Sequence, residues 1–366
     1  MSFLAGTLSQ FWLTVQGSLF PWLAAELGEL SVKQKQLVKI LELVQIEHFL
    51  KSQQSGGLGR PLENRQAIAR AFVAKAVYNL ETTRQLLDRL ASDETLRRLC
   101  GWERQDNLPS EATFSRAFAE FSASQLPERV HARLIEKYEK PRLVGHISRD
   151  ATAIMAREKA AKKVKPVVGE TKSSGGKKKQ RASKPLTRLE RQQSMTLKEM
   201  LADLPGVCDC GAKRNSKGHP SYWVGYKLHL DVADGGIPIS GILTSASVND
   251  SQVAIPLATL TAQRVDNLYD LMDSAYDVPL IREKIIALGH VPIIDGHTRR
   301  GGEKPVFAPH EAQRYKERTT CERVFARLKE EFGGRVVRVR GPAKVMTSLL
   351  FGLLALTADQ LLRLIS

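Results

Sequence analysis

Three carboxylates are candidates for a catalytic or metal-binding site because of the stretches of sequence that surround them. Asp150 lies in the apolar run LVGHISRDATAI, Asp273 ends the apolar run NLYDLMD, and Glu322 lies in a later stretch of helical periodicity. An ionised carboxylate in an apolar setting is costly unless its charge is compensated, and Mg²⁺ bound by one or two carboxylates is one such compensation. Two such ions about 4 Å apart can drive an in-line phosphoryl displacement. For a single aspartate, a turn or strand-end cap is the simpler interpretation.

Glu322 belongs to the stretch YKERTTCERVFARLK. At about 100° per residue, Tyr315, Arg318, Glu322 and Lys329 share an arc of roughly 60° on a helix, beside an apolar flank. This stripe combines one carboxylate, two cations and a phenol. Either these side chains converge on one ligand, or they form a solvated salt-bridge face.

The overall charge favours a polyanionic partner. The 366 residues include 55 Lys and Arg against 39 Asp and Glu, a net charge of +16. Cations placed on phosphates release condensed counterions, so such an excess is typical of nucleic-acid-binding proteins. Ribosome-associated and membrane-surface proteins can show the same sign.

Residues 1–142 are predicted to form an all-helical, DNA-binding domain. Ser31 can cap a helix, the SGGLGRP stretch from residue 55 predicts a break, and Ser110 can cap another helix. Arg116 and Ser115 lie early on that last helix. A helix-turn-helix and an ordinary helical bundle both fit this pattern.

Residues 143–366 predict a mixed sheet flanked by helices. A strand with Asp150 precedes a hairpin that turns at 234–236, and strands then alternate with helices. The strand ending at Asp273, the helix of the stripe, a short strand RVVRVRG and an apolar terminal helix complete the order. The fold class is therefore α/β. The terminal helix is predicted to be buried, because its uncharged run is too short to span a bilayer.

A basic insertion occupies about 155–220. Its segment 157–191 carries thirteen cations and three acids, so it holds +10 of the net charge. This composition predicts a flexible arm that contacts DNA phosphates, with a solvated linker as the alternative. The arm includes Lys177, Lys178 and Lys179.

The cysteines give no clear metal site. Cys208 and Cys210 form the only cluster, with His219 as the one nearby candidate for a further zinc ligand, so we do not predict zinc. Their role stays open. Four scattered cysteines fit a reducing cytoplasm, and no signal peptide is expected.

The sequence resembles a known family at several of these positions. The order of strands and helices, with acids on the first strand, the fourth strand and a late helix, resembles the ribonuclease-H-like fold of polynucleotidyl transferases. The stripe is similar to the Y-R-E-K signature of DDE transposases of bacterial insertion sequences. ISRDATAI and DSAYD resemble that family's other two acidic blocks. The family's second and third strands are similar to the stretch YWVGYKLHLDVADGGIPISGILTSASVND. The stretch RQAIARAFVAKAVYNLETTRQLLDRL resembles the helical domain that often precedes this core.

This resemblance implies a metal-dependent DNA transposase. Asp150, Asp273 and Glu322 would be catalytic and bind two Mg²⁺ ions, for which Mn²⁺ could substitute. Contacts to DNA phosphates are expected from six residues: Tyr315, Arg318, Lys329, Lys177, Lys178 and Lys179. Water would cleave at the ends of the element, and the freed 3′-hydroxyl would attack target DNA.

The implied partners are DNA and further copies of the chain. The DNA comprises terminal repeats and a target, and a homo-oligomer, a dimer on paired ends, is expected in the bacterial cytoplasm, on the nucleoid and away from membranes. A DNA-binding regulator and a non-mobile nuclease derived from a transposase are the alternatives. Only 49 residues separate Asp273 from Glu322, too few for the β-rich insertion of some members that cleave through DNA hairpins.

Overall fold

The computed structural model describes residues 9–50, 64–161, 185–214, 219–296 and 305–364. In the first two of these ranges the chain is helical up to residue 138. The α-helices of this region are α1 (Phe20–Leu27, preceded by the π-helical turn Val15–Leu19), α2 (Val32–Val44), α3 (Arg65–Val77), α4 (Thr83–Ser92), α5 (Glu94–Cys100), α6 (Glu111–Ala123) and α7 (Leu126–Tyr138).

The predicted helix starts are confirmed. The Ser31 side chain accepts a hydrogen bond from the Gln34 amide, and the Gln34 side chain accepts one from the Ser31 amide, which forms a capping box for α2. The Ser110 hydroxyl accepts from the Thr113 amide and caps α6. The predicted break at SGGLGRP falls within 51–63, outside the described residues.

The chain from residue 143 onwards forms a mixed sheet with helices packed on it, as predicted. Its strands are β1 (Leu143–Met155), β2 (Asp209–Arg214), β3 (Pro220–Ala233), β4 (Ile237–Ser245), β5 (Asp266–Met272) and β6 (Val291–Ile294). Its helices are α8 (Arg188–Gln192), α9 (Leu197–Asp203), α10 (Ser251–Ala262), α11 (Pro279–Ala287), α12 (Pro309–Tyr315), α13 (Thr319–Glu331) and α14 (Pro342–Arg363).

Strand β1 lies at the centre of the sheet. It pairs antiparallel with β3 and parallel with β5, and β5 pairs parallel with β6. The other edge of β3 is shared by β4, along 226–233, and by β2, along 220–225. The predicted hairpin is confirmed, with Gly235 and Gly236 at φ of 81° and 76° in its turn, values that side chains disfavour.

Strand β2 is absent from the sequence prediction. It lies in the stretch CDCGAKRNSKGHPSYW, whose basic residues suit a DNA-facing loop within the predicted basic insertion, and its register places Asp209 opposite Gly225. The strand carries few apolar residues. Its place at a sheet edge depends on backbone hydrogen bonds to β3, which side-chain patterning does not reveal.

The predicted strand RVVRVRG is wrong. Residues 335–340 form no strand, and no described strand pairs with them. Val337 is buried while Arg335, Arg338 and Arg340 are exposed. The alternation therefore reflects one-sided packing of the segment on the core rather than a ladder of backbone hydrogen bonds.

Helix α14 packs among the N-terminal helices. It contacts α7, α3, α2 and α6 as well as β4. It is long and apolar enough to cross a membrane by length and composition alone, but 83% of its most apolar window is buried inside the protein, as predicted for a core helix. One hydrophobic core runs through both halves of the chain, and the domain boundary near residue 142 stays a prediction.

Candidate active site

Asp150 and Asp273 emerge side by side from two adjacent strands. In the parallel pair of β1 and β5, Ser148 lies opposite Leu271, and each aspartate follows two residues later. The carboxylate of Asp150 accepts a hydrogen bond from the Ala151 amide at 2.7 Å. Asp273 accepts one from the Ala275 amide at 3.0 Å and so caps a short 3₁₀ turn. The cap expected for a lone aspartate is therefore present, but it occurs beside a second carboxylate.

The electrostatics of the two aspartates disfavour their charged forms. Burial, together with the charge of Asp273, raises the pKa of Asp150 to about 6 against the opposing effects of the Ala151 amide and Arg318. Burial also raises the pKa of Asp273, as does the charge of Asp250. Both carboxylates would be stabilised by added positive charge.

The helix carrying the stripe is interrupted. We predicted one continuous helix, whereas α12 and α13 are joined by a 3₁₀ turn, Lys316–Arg318. The Ser148 hydroxyl donates to the Arg318 carbonyl at 2.5 Å and fixes this turn on β1. The tighter turn lets the backbone approach the strand at the point where the first acid lies.

Arg318 links the first and third acids. Its Nη1 lies 3.4 Å from Asp150 Oδ2, and its Nη2 donates to Glu322 Oε1 at 2.6 Å. The Glu322 side chain is 53% exposed, whereas that of Asp150 is 17% exposed. The stripe therefore faces β1 and its acid, and its salt bridge lies within the site.

Lys329 lies further along the same face. Its Nζ donates to Thr152 Oγ1 at 2.7 Å and to the Ala153 carbonyl at 3.1 Å. Burial lowers the pKa of Lys329, and the cations Arg335 and Lys213 lower it further. In this structure the ammonium group is bound to the strand that carries Asp150.

Tyr315 lies on the acidic side of the site. Its ring packs on Phe307, with centroids 4.8 Å apart. Burial raises its pKa to about 12, and the nearby charges of Asp295, Asp273 and Asp150 add to the effect, against the opposing charge of Arg318. The phenol therefore stays protonated near neutral pH and can donate a hydrogen bond.

The basic arm is described only at its ends. Lys177, Lys178 and Lys179 lie outside the described residues. The prediction of a flexible arm over the whole of 157–191 is wrong at its far end, where Arg188 and Arg191 lie on α8 and both pair with Asp203 at 2.8 Å. Those two cations share one carboxylate, because the capped helix α8 places both of them against Asp203.

A buried polar network under the site was missed by the sequence analysis. Arg149 is 1% exposed and donates to both carboxylate oxygens of Asp231 at 2.7 Å and to Asp270 at 2.9 Å. His290 Nδ1 lies 2.9 Å from the second oxygen of Asp270, and the Thr261 hydroxyl donates to Asp231 at 2.6 Å. The network joins β1, β3 and β5 next to Asp150 and Asp273. Its sequence signal is a charged residue at an inward-facing position of each strand.

A fourth acid lies near the site. Asp250 precedes α10 and accepts a hydrogen bond from Lys227 Nζ at 2.9 Å. Its charge contributes to the raised pKa of Asp273. It is held by a lysine of β3, so its charge is largely compensated within the fold.

The donors of the site suit a hard cation only in part. Among the described residues no three His, Cys, Asp or Glu side chains are grouped to hold a metal, and Glu322 is held by Arg318. The two adjacent aspartates nonetheless offer carboxylate oxygens, the ligand type that Mg²⁺ prefers. All four thiols are free, and Cys208 donates to the Glu158 carbonyl at 3.7 Å.

Comparison with known proteins places these residues in a family. A family model described as a transposase DDE domain matches residues 150–358, more than half of the chain, and this range includes all three acids. A second model, described as a transposase domain (DUF772), matches residues 26–120. No curated protein gave a significant match.

Proposed function

Because this chain belongs to the DDE transposase family, we propose that it binds the ends of its insertion element, cleaves them by metal-dependent hydrolysis and joins the 3′-hydroxyl to target DNA. The observation that carries this proposal is the placement of Asp150 and Asp273 at matching positions of the adjacent strands β1 and β5, with Glu322 joined to Asp150 through Arg318. A dimer bound to the paired ends would carry out these reactions on bacterial DNA in the cytoplasm.

Asp150, Asp273 and Glu322 are the residues that would hold the metal. Burial is the main cause of the raised pKa of each aspartate, and a bound divalent cation would favour the ionised form of both carboxylates. Glu322 would exchange its salt bridge with Arg318 for the cation. When bound, two Mg²⁺ ions, or Mn²⁺ in their place, would activate water or the 3′-hydroxyl and stabilise the leaving oxygen.

The remaining residues of the stripe would bind the DNA around the scissile bond. Arg318, released from Glu322, can place its planar guanidinium on two phosphate oxygens. The protonated phenol of Tyr315 can donate a hydrogen bond to a phosphate oxygen. Lys329 supports the strand carrying Asp150 through Thr152 and adds a positive charge.

Cleavage and strand transfer with DNA carrying the element ends test this proposal. We expect Asp150→Asn, Asp273→Asn and Glu322→Gln each to abolish both reactions in Mg²⁺. Asp266→Asn is the matched control, because Asp266 is an exposed acid at the opposite end of β5. Cleavage by the Asp150→Asn protein would refute the assignment.

The same assay separates the alternatives. A nuclease would cut these DNAs and leave the 3′-hydroxyl unjoined. A DNA-binding regulator would bind the ends and cut nothing.

A further inference from the structure

A groove of about 810 Å³ lies between the N-terminal helices and the segment 335–340. Its lining includes Phe72 and Phe118 from the helical region and Phe332 and Phe351 from the catalytic half. The ring of Phe72 lies 5.1 Å from that of Phe118 and 5.5 Å from that of Phe351. Since these packed rings belong to the shared core, the shape of the groove is set before any ligand binds.

The groove is strongly basic. Two acids, Glu81 and Glu111, are among its lining residues. Glu81 pairs with one lining arginine at 3.3 Å and Glu111 with another at 3.4 Å, and both pairs are well exposed and therefore weak. The cationic side chains of the lining are Lys75, Arg84, Arg157, Arg338, Arg340 and Lys344.

Three of these cations are not neutralised by the fold. Within the described ranges, no carboxylate forms a salt bridge with Arg157, Arg340 or Lys344, and all three are exposed. The neighbour of Arg157 is firmly placed, because Glu158 accepts hydrogen bonds from the Tyr226 hydroxyl and the Gly341 amide. Because Gly341 lies between Arg340 and Lys344, this anchor holds Arg157 close to both of the other cations.

A fourth cation is partly withdrawn from water. Lys75 Nζ donates to the Glu81 carbonyl at 3.1 Å, and burial lowers the pKa of Lys75 to about 8. A bound anion would restore this pKa. The groove therefore has cations on the helical side, on the segment 335–340 and at the end of β1.

We propose that this basic groove binds the sugar-phosphate backbone of the element end, beside the cleavage point. The proposal rests on the proposed function. A small anion needs donors that converge on one point, whereas these cations are distributed along two walls, which fits a regular series of phosphates. Arg157 follows Asp150 by seven positions of one strand and its end, so the two lie at most about 23 Å apart. At 3.4 Å per phosphate of one strand, the groove would therefore begin within about seven phosphates of the scissile bond.

Binding across a salt series tests the groove without catalysis. The parent is the Asp150→Asn protein, and the probe is a duplex carrying the element end, followed by fluorescence anisotropy. In that background we replace Arg157, Arg340 and Lys344 together by Gln. We expect the slope of log K against log salt to fall by about 0.9 for each contact, or roughly 2.7 in total. When the salt rises from about 50 to 200 mM, the factor by which the affinity falls should therefore be about 40 times smaller for the variant than for the parent.

Two further proteins act as controls. Replacing Arg104, Lys137 and Lys198 by Gln removes three exposed cations outside the groove and should change the slope by less than about 1. Arg157→Lys with Arg340→Lys keeps both charges and should retain the parent slope. If the triple variant does not fold, Arg340→Gln alone should lower the slope by about 0.9.

The outcomes separate this inference from the proposed function. A parent that fails to bind duplex DNA would refute the proposed function itself. A parent that binds normally, beside a folded triple variant with an unchanged slope, would overturn the groove alone. An unchanged slope with altered self-association would assign the groove to a contact between copies and would also overturn the inference.

Discussion

Replacing Arg149 by Met should destabilise the protein strongly. Arg149 is 1% exposed and supplies the guanidinium for two carboxylates, Asp231 and Asp270, that are themselves at most 2% exposed. Removing one partner of a buried ion pair typically costs about 3–5 kcal/mol, because the other partner is left as an uncompensated charge. The loss of free energy of unfolding should not double because of the second carboxylate. Asp270 retains its contact with His290, and a buried carboxylate without its cation can take up a proton.

The destabilisation caused by Arg149→Met should decrease as the pH is lowered. In the variant, the folded-state pKa of each buried carboxyl would rise above its unfolded value. The destabilisation is then fully present at neutral pH and shrinks as the pH falls through the raised pKa towards about 4. Urea unfolding, followed by circular dichroism and tryptophan fluorescence at several pH values, measures it.

A surface pair provides the control. Arg133 and Glu136 form an ion pair whose side chains are 61% and 54% exposed, so Arg133→Met should cost at most about 1 kcal/mol. If Arg149→Met at pH 7.5 cost no more than this control, the network would not be holding together the strands that carry Asp150 and Asp273.

Three other predictions concern metal, acid and backbone geometry. Mg²⁺ should raise the thermal midpoint of the parent protein and of Asp266→Asn but leave that of Asp150→Asn unchanged; equal shifts in all three would exclude Asp150 as a ligand. Burial lowers the pKa of His131 to about 3, whereas its unfolded pKa is about 6.5. The contribution of His131 to the free energy of unfolding should therefore be fully present above pH 6.5. It should decrease as the pH falls towards 3, by up to about 1.4 kcal/mol per pH unit. Urea midpoints of His131→Gln should therefore vary less between pH 6.5 and 4, and an equal dependence would contradict this assignment. Gly225→Ala should cost more than about 2 kcal/mol in urea unfolding, because φ is 153° and an added Cβ would lie 2.1 Å from the Ile154 carbonyl oxygen; a neutral result would contradict the close approach of β1 and β3.

The sequence predicted the elements whose side chains follow a clear period. The strands with Asp150 and Asp273 and the hairpin were found from short or alternating apolar runs, and the terminal helix from a longer apolar run. The structure buries every residue of that helix from 349 to 359. Helical spacing also predicted that Arg318, Glu322 and Lys329 share one face, and in the structure that face lies against β1.

What the sequence missed depends on long-range contacts. Strand β2 is defined by backbone pairing with β3, and the segment 335–340 lacks a partner despite its alternating residues. The salt bridge between Arg318 and Glu322 could be expected from their spacing, but Asp150 joins them from 168 positions away. The ion network of Arg149 likewise requires knowledge of which strands are neighbours.

The position of α14 has a consequence for how the protein is made. Helices α3, α6 and α7 need this helix to complete their core, yet it is synthesised about 200 residues after α7. At about 5–20 residues per second, the nascent helical region would wait roughly ten to forty seconds on the ribosome with apolar surface uncovered. A chain cut short by a premature stop codon would keep that surface exposed. Incomplete products would then be candidates for aggregation and proteolysis.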